Sequence, residues 1–284
     1  MKSIFIKLLI ALPLIYLALF AGLWSSVTDT RPIISLLDLM RSDSATEIID
    51  FSSDDKKSSK PKPNLDRNPY YGDLHVHTKH SFDAYIFGVT ATPNDAYISA
   101  KGESILPPMG YEMKLQEPLD FYSVTDHGFF MGMLNAWADT STDISKKDFA
   151  KPFHDLNKIE NITPESAGPR SALFSSILGG TITEAYPDYS PKVLKAWLTK
   201  NTQAALRSFD YEIHKSAWED VAKAANAHND PGHFTTFIGY EFTTSTNIEG
   251  GNLHRNVIFN SSKAPIRPWT RIDSINPEDL WTWQ

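Results

Sequence analysis

The sequence predicts an α/β fold, and three stretches carry that prediction. "YGDLHVHT" (71–78) alternates, with Leu74 and Val76 on one face and Asp73, His75 and His77 on the other, which is the period of a strand. Thr92-Pro93 opens a helix, with Thr92 as N-cap, Pro93 at the first helical position and Asp95 in the first turn. That helix runs through "NDAYISAKG" to a stop near Gly102, and "LDFYSVTDHG" (119–128) follows as a second strand ending at Asp126, His127 and Gly128. Strands that alternate with helices favour an α/β architecture.

The remaining elements follow in chain order. From Phe129 to about residue 232 the pattern becomes mainly helical, notably in "SPKVLKAWLTKNTQAALRSF" and "SAWEDVAKAANAHND", with loops such as "ENITPESAGPR" between. This stretch reads as an insertion or lid whose helices are buried by Trp137, Trp197 and Trp218. Two more strands, "FTTFIGYEFT" (234–243) and "NLHRNVIF" (252–259), flank the Gly-rich turn "NIEGGN".

Upstream of these elements the composition differs. Lys2 and Lys7 precede an uncharged apolar run, Leu8 to Trp24, followed at once by polar "SSVTDTRP". A basic start and an apolar run suit a signal peptide with Ala21 near the cleavage point, or an N-terminal membrane anchor with Trp24 at the interface. Either one predicts export, to the periplasm or beyond the cell. Residues 25–69 read as a polar linker, and "RSDSATEIIDFSSDDKKSSKPKPNLDRNP" within them as a flexible tether. The globular part is therefore expected from Tyr70 to residue 284.

Composition narrows the chemistry. A net charge of −7 gives no concentrated basic face, so a nucleic-acid partner is not expected. The absence of cysteine removes disulfides, thiolate metal sites and cysteine nucleophiles, leaving His, Asp and Glu as the available ligands.

Those ligands cluster in the sequence. His75 and His77, two apart on a strand, project to one side and can bind one ion together. Asp83 follows in "HSFDAY", His127 closes the second strand, Glu241 lies in "GYEFT" and His254 in "NLHRN". In a barrel of parallel strands such ends converge on the C-terminal rim, where sites form. His80 competes with Asp83 as a ligand, but faces away from the His75 and His77 side if the strand persists. Asp73 and Asp126 adjoin ligands and suit a role behind them, each accepting the outer N–H of an imidazole. His154, His214, His228 and His233 lie in polar segments and read as exposed, and Arg255 as a surface or packing residue.

"DLHVHT", the Asp of "SFD", "TDH", "GYE" and a later strand His together resemble the PHP superfamily, named for its polymerase and histidinol phosphatase members. Residues 70–260 look similar to an exported branch of it known only as a domain of unknown function. The resemblance implies a distorted (β/α)7 barrel, here incomplete, holding up to three divalent ions, Zn, Mn or Fe. Carried over residue by residue, it makes His75, His77, Asp83, His127, Glu241 and His254 metal ligands. Glu241 bridges two ions, and Glu241 and His127 are the catalytic residues. Members of the superfamily use a further His and an Asp-x-His downstream, whereas no His follows His254 before the closing "PEDLWTWQ". The expectation is therefore of a truncated chain, about the N-terminal half of such a protein.

The resemblance implies hydrolysis of a small phosphoester by metal-activated water. The same ligand set suits amide or lactone hydrolysis, and a non-catalytic exported binding module is the alternative of a different class.

Overall fold

The computed structural model describes residues 45–52, 65–66, 68–107, 110–178, 209–245, 252–273 and 277–284. It shows a mixed α/β fold built on a parallel sheet, and among the described residues the sheet does not close into a barrel. Strand β1 spans Ile48–Asp50 and β2 Gly72–Val76, followed by helices α1 (Phe82–Ile86) and α2 (Pro93–Ala100). Then come β3 (Phe121–Val124), α3 (Met133–Ala138), a series of short 3-10 turns, α4 (Ala167–Leu178) and α5 (Tyr211–His228). Strands β4 (Thr235–Thr236), β5 (Ile238–Ser245), β6 (Asn252–Phe259) and β7 (Lys263–Pro265) precede α6 (Pro277–Trp283).

Local chemistry explains the first crossover. Thr92 caps α2 through a capping box: its Oγ1 accepts from the Asp95 N–H at 3.1 Å, while the Asp95 carboxylate accepts from the Thr92 N–H at 2.9 Å. The helix returns the chain so that β3 pairs parallel with β2, Gly72 facing Phe121 and Val76 facing Val124. A second helical crossover, ending in α5, brings β4 parallel to β3. Residues of α5, inside the stretch read from the sequence as an insertion, pack in the main core: Trp218, Val221 and Ala222 lie against Tyr97, Val124, Ile238, Tyr240 and Phe242. Trp218 also donates from Nε1 to the Pro265 carbonyl at 2.6 Å. A second cluster holds α1 and α3 together through Phe82, Ile86, Phe129, Met133 and Trp137. Gly132 caps α3 at φ 74°, and a Cβ there would come within 2.4 Å of Ala217, so this turn both needs glycine and lets α3 reach α5.

Three expectations are corrected. Residues 45–52 are not tether: β1 pairs antiparallel with β7, Ile48 with Pro265 and Asp50 with Lys263, and Ala45 and Phe51 are buried. Strands β5 and β6 form an antiparallel hairpin, Ile238 facing Phe259 and Thr243 facing His254, because so short a connection cannot make a parallel crossover. Glu241 and His254 therefore lie within their strands and not at strand ends. The third correction concerns histidines read as exposed: His214 is buried, and His228 is half-buried, stacked on Tyr97. His154 is half-buried too, and His233 is exposed as expected.

The segment 190–208, expected to be helical, and Trp197 within it lie outside the described residues, as do residues 1–24 and the turn 246–251. Among the described residues no helix is long and apolar enough to cross a membrane.

Candidate metal centre

The extended backbone beyond β2 and β3 delivers the first ligands. His75 lies in β2 and His77 just after it, so both project to one side, and His127 follows β3 by three residues. Strand β5 joins the parallel sheet here: the Glu241 N–H donates to the Asp126 carbonyl at 3.0 Å and the Gly128 N–H to the Glu241 carbonyl at 2.8 Å. Gly239 permits the approach of β5 to β3, since a Cβ there would fall 2.7 Å from Ser123 Oγ. Strand β6 carries His254 opposite Thr243. Its Asn256 side chain donates to the Leu74 carbonyl of β2 at 2.8 Å, which ties β6 to β2 beside His75.

At that point a single buried carboxylate meets four imidazoles. Glu241 Oε2 lies 3.1 Å from His75 Nε2, 2.8 Å from His77 Nε2 and 3.3 Å from His127 Nδ1, and Oε1 lies 2.5 Å from His254 Nδ1. The Glu241 side chain is 1% exposed, while His75 and His254 are 57% and 41% exposed, so the cluster opens outward between them. Asp83 sits behind His77 and His127. Both its oxygens are 3.2 Å from His77 Nδ1, and Oδ2 is 3.5 Å from His127 Nε2. All six residues expected as ligands therefore come together.

Three overlapping groups have ligand atoms mutually within 4.8 Å: His75, His77 and Glu241; His77, Asp83 and His127; His127, Glu241 and His254. Two ligand atoms each about 2.1 Å from one ion stand about 3.0 Å apart at a right angle and about 3.4 Å apart at a tetrahedral angle. The Glu241 separations to His75, His77 and His127 lie near that range. The donor set, imidazole and carboxylate without sulfur, suits a divalent first-row ion such as Zn, Mn or Fe.

Electrostatics point the same way. Burial opposes a charged His77, yet hydrogen bonds to Asp83 and Glu241 and the charges of Asp83 and Asp126 push it up to about 10. Burial also opposes ionised Glu241, but the hydrogen bond from His77 and the nearby His127 and His254 hold it down to about 2. Asp83 follows the same pattern: its burial is outweighed by His127 and His77, which keep it well below the usual carboxylate range. The cluster attracts positive charge, and in a metal-free protein a proton held on His77 meets part of that demand.

Asp73 and Asp126 do not accept from imidazoles. The Asp73 carboxylate accepts from the His75 backbone N–H at 2.9 Å. Asp126, fully buried, accepts from the Thr78 N–H at 2.5 Å and the Thr78 hydroxyl at 2.7 Å. Asp126 is adjacent to His127, and in extended backbone adjacent side chains point to opposite sides, so it braces backbone and not the ring. Asp73 shares a face with His75, but its carboxylate takes the His75 backbone N–H instead. His80 stays out of the cluster, its Nε2 lying 2.8 Å from Asp220 Oδ2 on α5. Arg255 is exposed, donating to the His254 carbonyl at 2.7 Å.

Three supports went unread in the sequence. Thr243 Oγ1 lies 2.6 Å from His127 Nδ1 and 3.3 Å from His254 Nδ1. Its position two residues after Glu241, on the same strand face, was the available signal. The Ser81 hydroxyl donates to Asp83 Oδ1 at 2.5 Å and accepts from the His127 N–H at 3.2 Å. His214 Nε2 lies 2.8 Å from the Gly128 carbonyl, bracing the turn after His127 from α5.

Residues 64–284 match the sequence model of a family described as Protein of unknown function (DUF3604). No curated protein and no solved structure matches the chain.

Proposed function

As a chain that belongs to the DUF3604 family, whose description assigns no activity, we propose that this protein is a metal-dependent phosphoesterase of PHP type, built on part of a distorted (β/α)7 barrel. The observation that carries the reading is the buried Glu241 carboxylate with imidazoles from β2, β6 and the segments after β2 and β3 on both its oxygens. A carboxylate so placed is suited to bridging two ions. The resemblance of "DLHVHT", "TDH" and "GYE" to the PHP superfamily supports a phosphoester as substrate.

Bound divalent ions would supply charge stabilisation for a phosphoryl group and acidify water toward neutrality. The protein's own part is positional. Glu241 fixes the spacing of the two ligand groups, and β5 holds it through the Asp126 and Gly128 backbone bonds. His75 and His254, the most exposed ligands, flank the opening through which a small substrate enters. The acidic balance of the chain supports a small molecule over a nucleic acid as partner. Lys2, Lys7 and the apolar run to Trp24 support an exported enzyme.

The test compares divalent-metal content and hydrolysis of p-nitrophenyl phosphate in the full chain, in His77→Ala and in Glu241→Gln. Wild type is expected to contain metal and to turn over the ester. His77→Ala should lose metal and rate together, and Glu241→Gln should lose rate by at least about 100-fold. A metal-free wild type, or wild-type metal content in His77→Ala, would overturn the reading. Turnover of amide or lactone substrates in place of the ester would keep the metal centre and replace the substrate class.

A further inference from the structure

We propose that His80 and Asp220 are positioning residues for the metal centre: the pair anchors the ligand-bearing segment 77–83 to helix α5, and so sets how tightly the centre holds metal. The proposal rests on the metal-dependent reading above and is the same for any number of ions.

His80 acts from outside the cluster around Glu241. It stands in the chain midway between His77 and Asp83 and reaches three neighbours. Its N–H donates to Thr78 Oγ1 at 3.3 Å, its carbonyl accepts from the Gly132 N–H at 2.9 Å, and its Nε2 lies 2.8 Å from Asp220 Oδ2. Gly132 belongs to the turn that follows His127. Residue 80 therefore joins the segments carrying His77, Asp83 and His127 to each other and to a helix.

The next residue passes any movement on. Ser81 Oγ lies 3.2 Å from His77 Nδ1, donates to Asp83 Oδ1 at 2.5 Å and accepts from the His127 N–H at 3.2 Å. A displacement of His80 shifts Ser81, and through it His77, Asp83 and His127.

The ring depends on Asp220. His80 is 8% exposed, and its Nδ1 is buried with no hydrogen-bond partner among the described residues. A buried imidazole that loses its remaining partner carries the desolvation cost of both nitrogens, which it lowers by moving toward water. It has little room to move alone. A Cβ at Gly132 would fall 2.4 Å from Ala217 and 3.7 Å from His80 Nδ1, so the ring lies where the turn before α3 meets α5.

Asp220 itself stands on a firm support. Trp218, Val221 and Ala222 beside it on α5 are buried in the main core, while its own side chain is 55% exposed. The hydrogen bond to His80 holds its carboxyl below the usual carboxylate range. Removing that carboxylate takes nothing from the core but takes the anchor from the ligand segment. This asymmetry separates positioning from a contribution to stability alone.

The experiment measures Zn affinity, by competition with a chromogenic chelator, and the urea midpoint of the metal-free protein. The proteins are the full chain as wild type, Asp220→Ala, Asp220→Asn, His80→Ala, the His80→Ala/Asp220→Ala double variant and Glu219→Ala. Asp220→Ala is expected to weaken Zn binding about 3- to 10-fold, less than the about 10- to 100-fold that loss of a group directly behind a ligand costs. Its urea midpoint should stay near wild type, as for other surface substitutions. Asp220→Asn keeps an acceptor oxygen for Nε2 and should recover most of the lost affinity. The double variant should bind Zn as His80→Ala does, because the second substitution has no further contact to remove. Glu219→Ala removes the same charge one position away, where the carboxylate pairs with Lys223 at 2.8 Å, and should leave affinity unchanged. If His80→Ala does not fold, the Asp220 and Glu219 variants decide alone. Wild-type affinity in Asp220→Ala, an equal loss in Glu219→Ala, or additive losses in the double variant would overturn the pair's role and leave the phosphoesterase reading standing. A wild type that binds no metal would overturn both.

Discussion

Asp126 shows how one buried carboxylate can hold a site without touching a ligand ring. Its two oxygens take the N–H and the hydroxyl of Thr78, the residue after His77, while its own chain continues into His127. It thereby ties the segment after β2 to the segment after β3. Burial raises its pKa, and the Thr78 bonds work against that rise. Asp126→Asn keeps the shape but offers one acceptor oxygen and turns an NH2 toward the second donor. The expected loss is about 1–3 kcal/mol of stability, read by denaturant unfolding of the metal-free protein. Unchanged stability would mean that the Thr78 bonds contribute nothing net. At this scale the sequence was informative where chemistry repeats at strand spacing: His75 and His77 could be named as a ligand pair from residue type and alternation, while Glu241 and His254 were named from residue type and the PHP resemblance. It misled where adjacency stood in for direction, as at Asp126. His214 was misread because Glu212 and Lys215 make its segment look polar. On the helix it shares a face with Ala217, Trp218 and Val221, all buried, at the i, i+3, i+4, i+7 positions of an inward stripe.

At the scale of elements, long alternating segments and capped helices were legible and the shortest pieces were not. Strands β2 and β3 and helix α2 announce themselves by period two and by the Thr92-Pro93 cap. Strand β1 is the three-residue run Ile48–Asp50 inside Ser, Asp and Lys-rich surroundings, too short for any period to show. What makes it a strand is tertiary: β7 is available to pair with it, the Phe51 N–H donates to the Ser262 carbonyl at 3.0 Å, and Phe51 enters the main core. Phe51→Ala should therefore cost about 3 kcal/mol through lost burial and the cavity left behind, with metal stoichiometry unchanged. A urea midpoint within error of wild type would restore the tether reading, since substitutions on exposed flexible chain stay within about 0.5 kcal/mol. The direction of β6 is a further case. The Gly-rich turn "NIEGGN" signals a hairpin, and a hairpin is antiparallel, so the local signal in the sequence was sound and the parallel-rim picture was the part that failed.

For the whole molecule, the sheet and the candidate centre depend on each other. The parallel strands β2 and β3, the bridge from His127 after β3 to Glu241 of β5 and the Asn256 bond from β6 back to β2 bring these strands together beside Glu241. In the absence of ions the ligands satisfy one another, Glu241 with four imidazoles and Asp83 with two, so the metal-free protein is not left with naked buried charge. Chelation should therefore leave a folded protein that unfolds cooperatively at a lower temperature, unlike small domains whose fold is created by the metal. The size of the shift follows from mass action, because ions bind the folded centre and barely bind the unfolded chain. At about 1,000 times its dissociation constant one ion adds about 4 kcal/mol, and a second ion adds to that if its site fills independently. The measurement is a calorimetric scan of the full chain with chelator, after dialysis, and after titration with Zn or Mn. The expected pattern is a transition that falls with chelator, keeps its cooperativity and climbs again with added metal. A transition indifferent to chelator and to added metal would show that the ring of histidines around Glu241 is held together by hydrogen bonds alone.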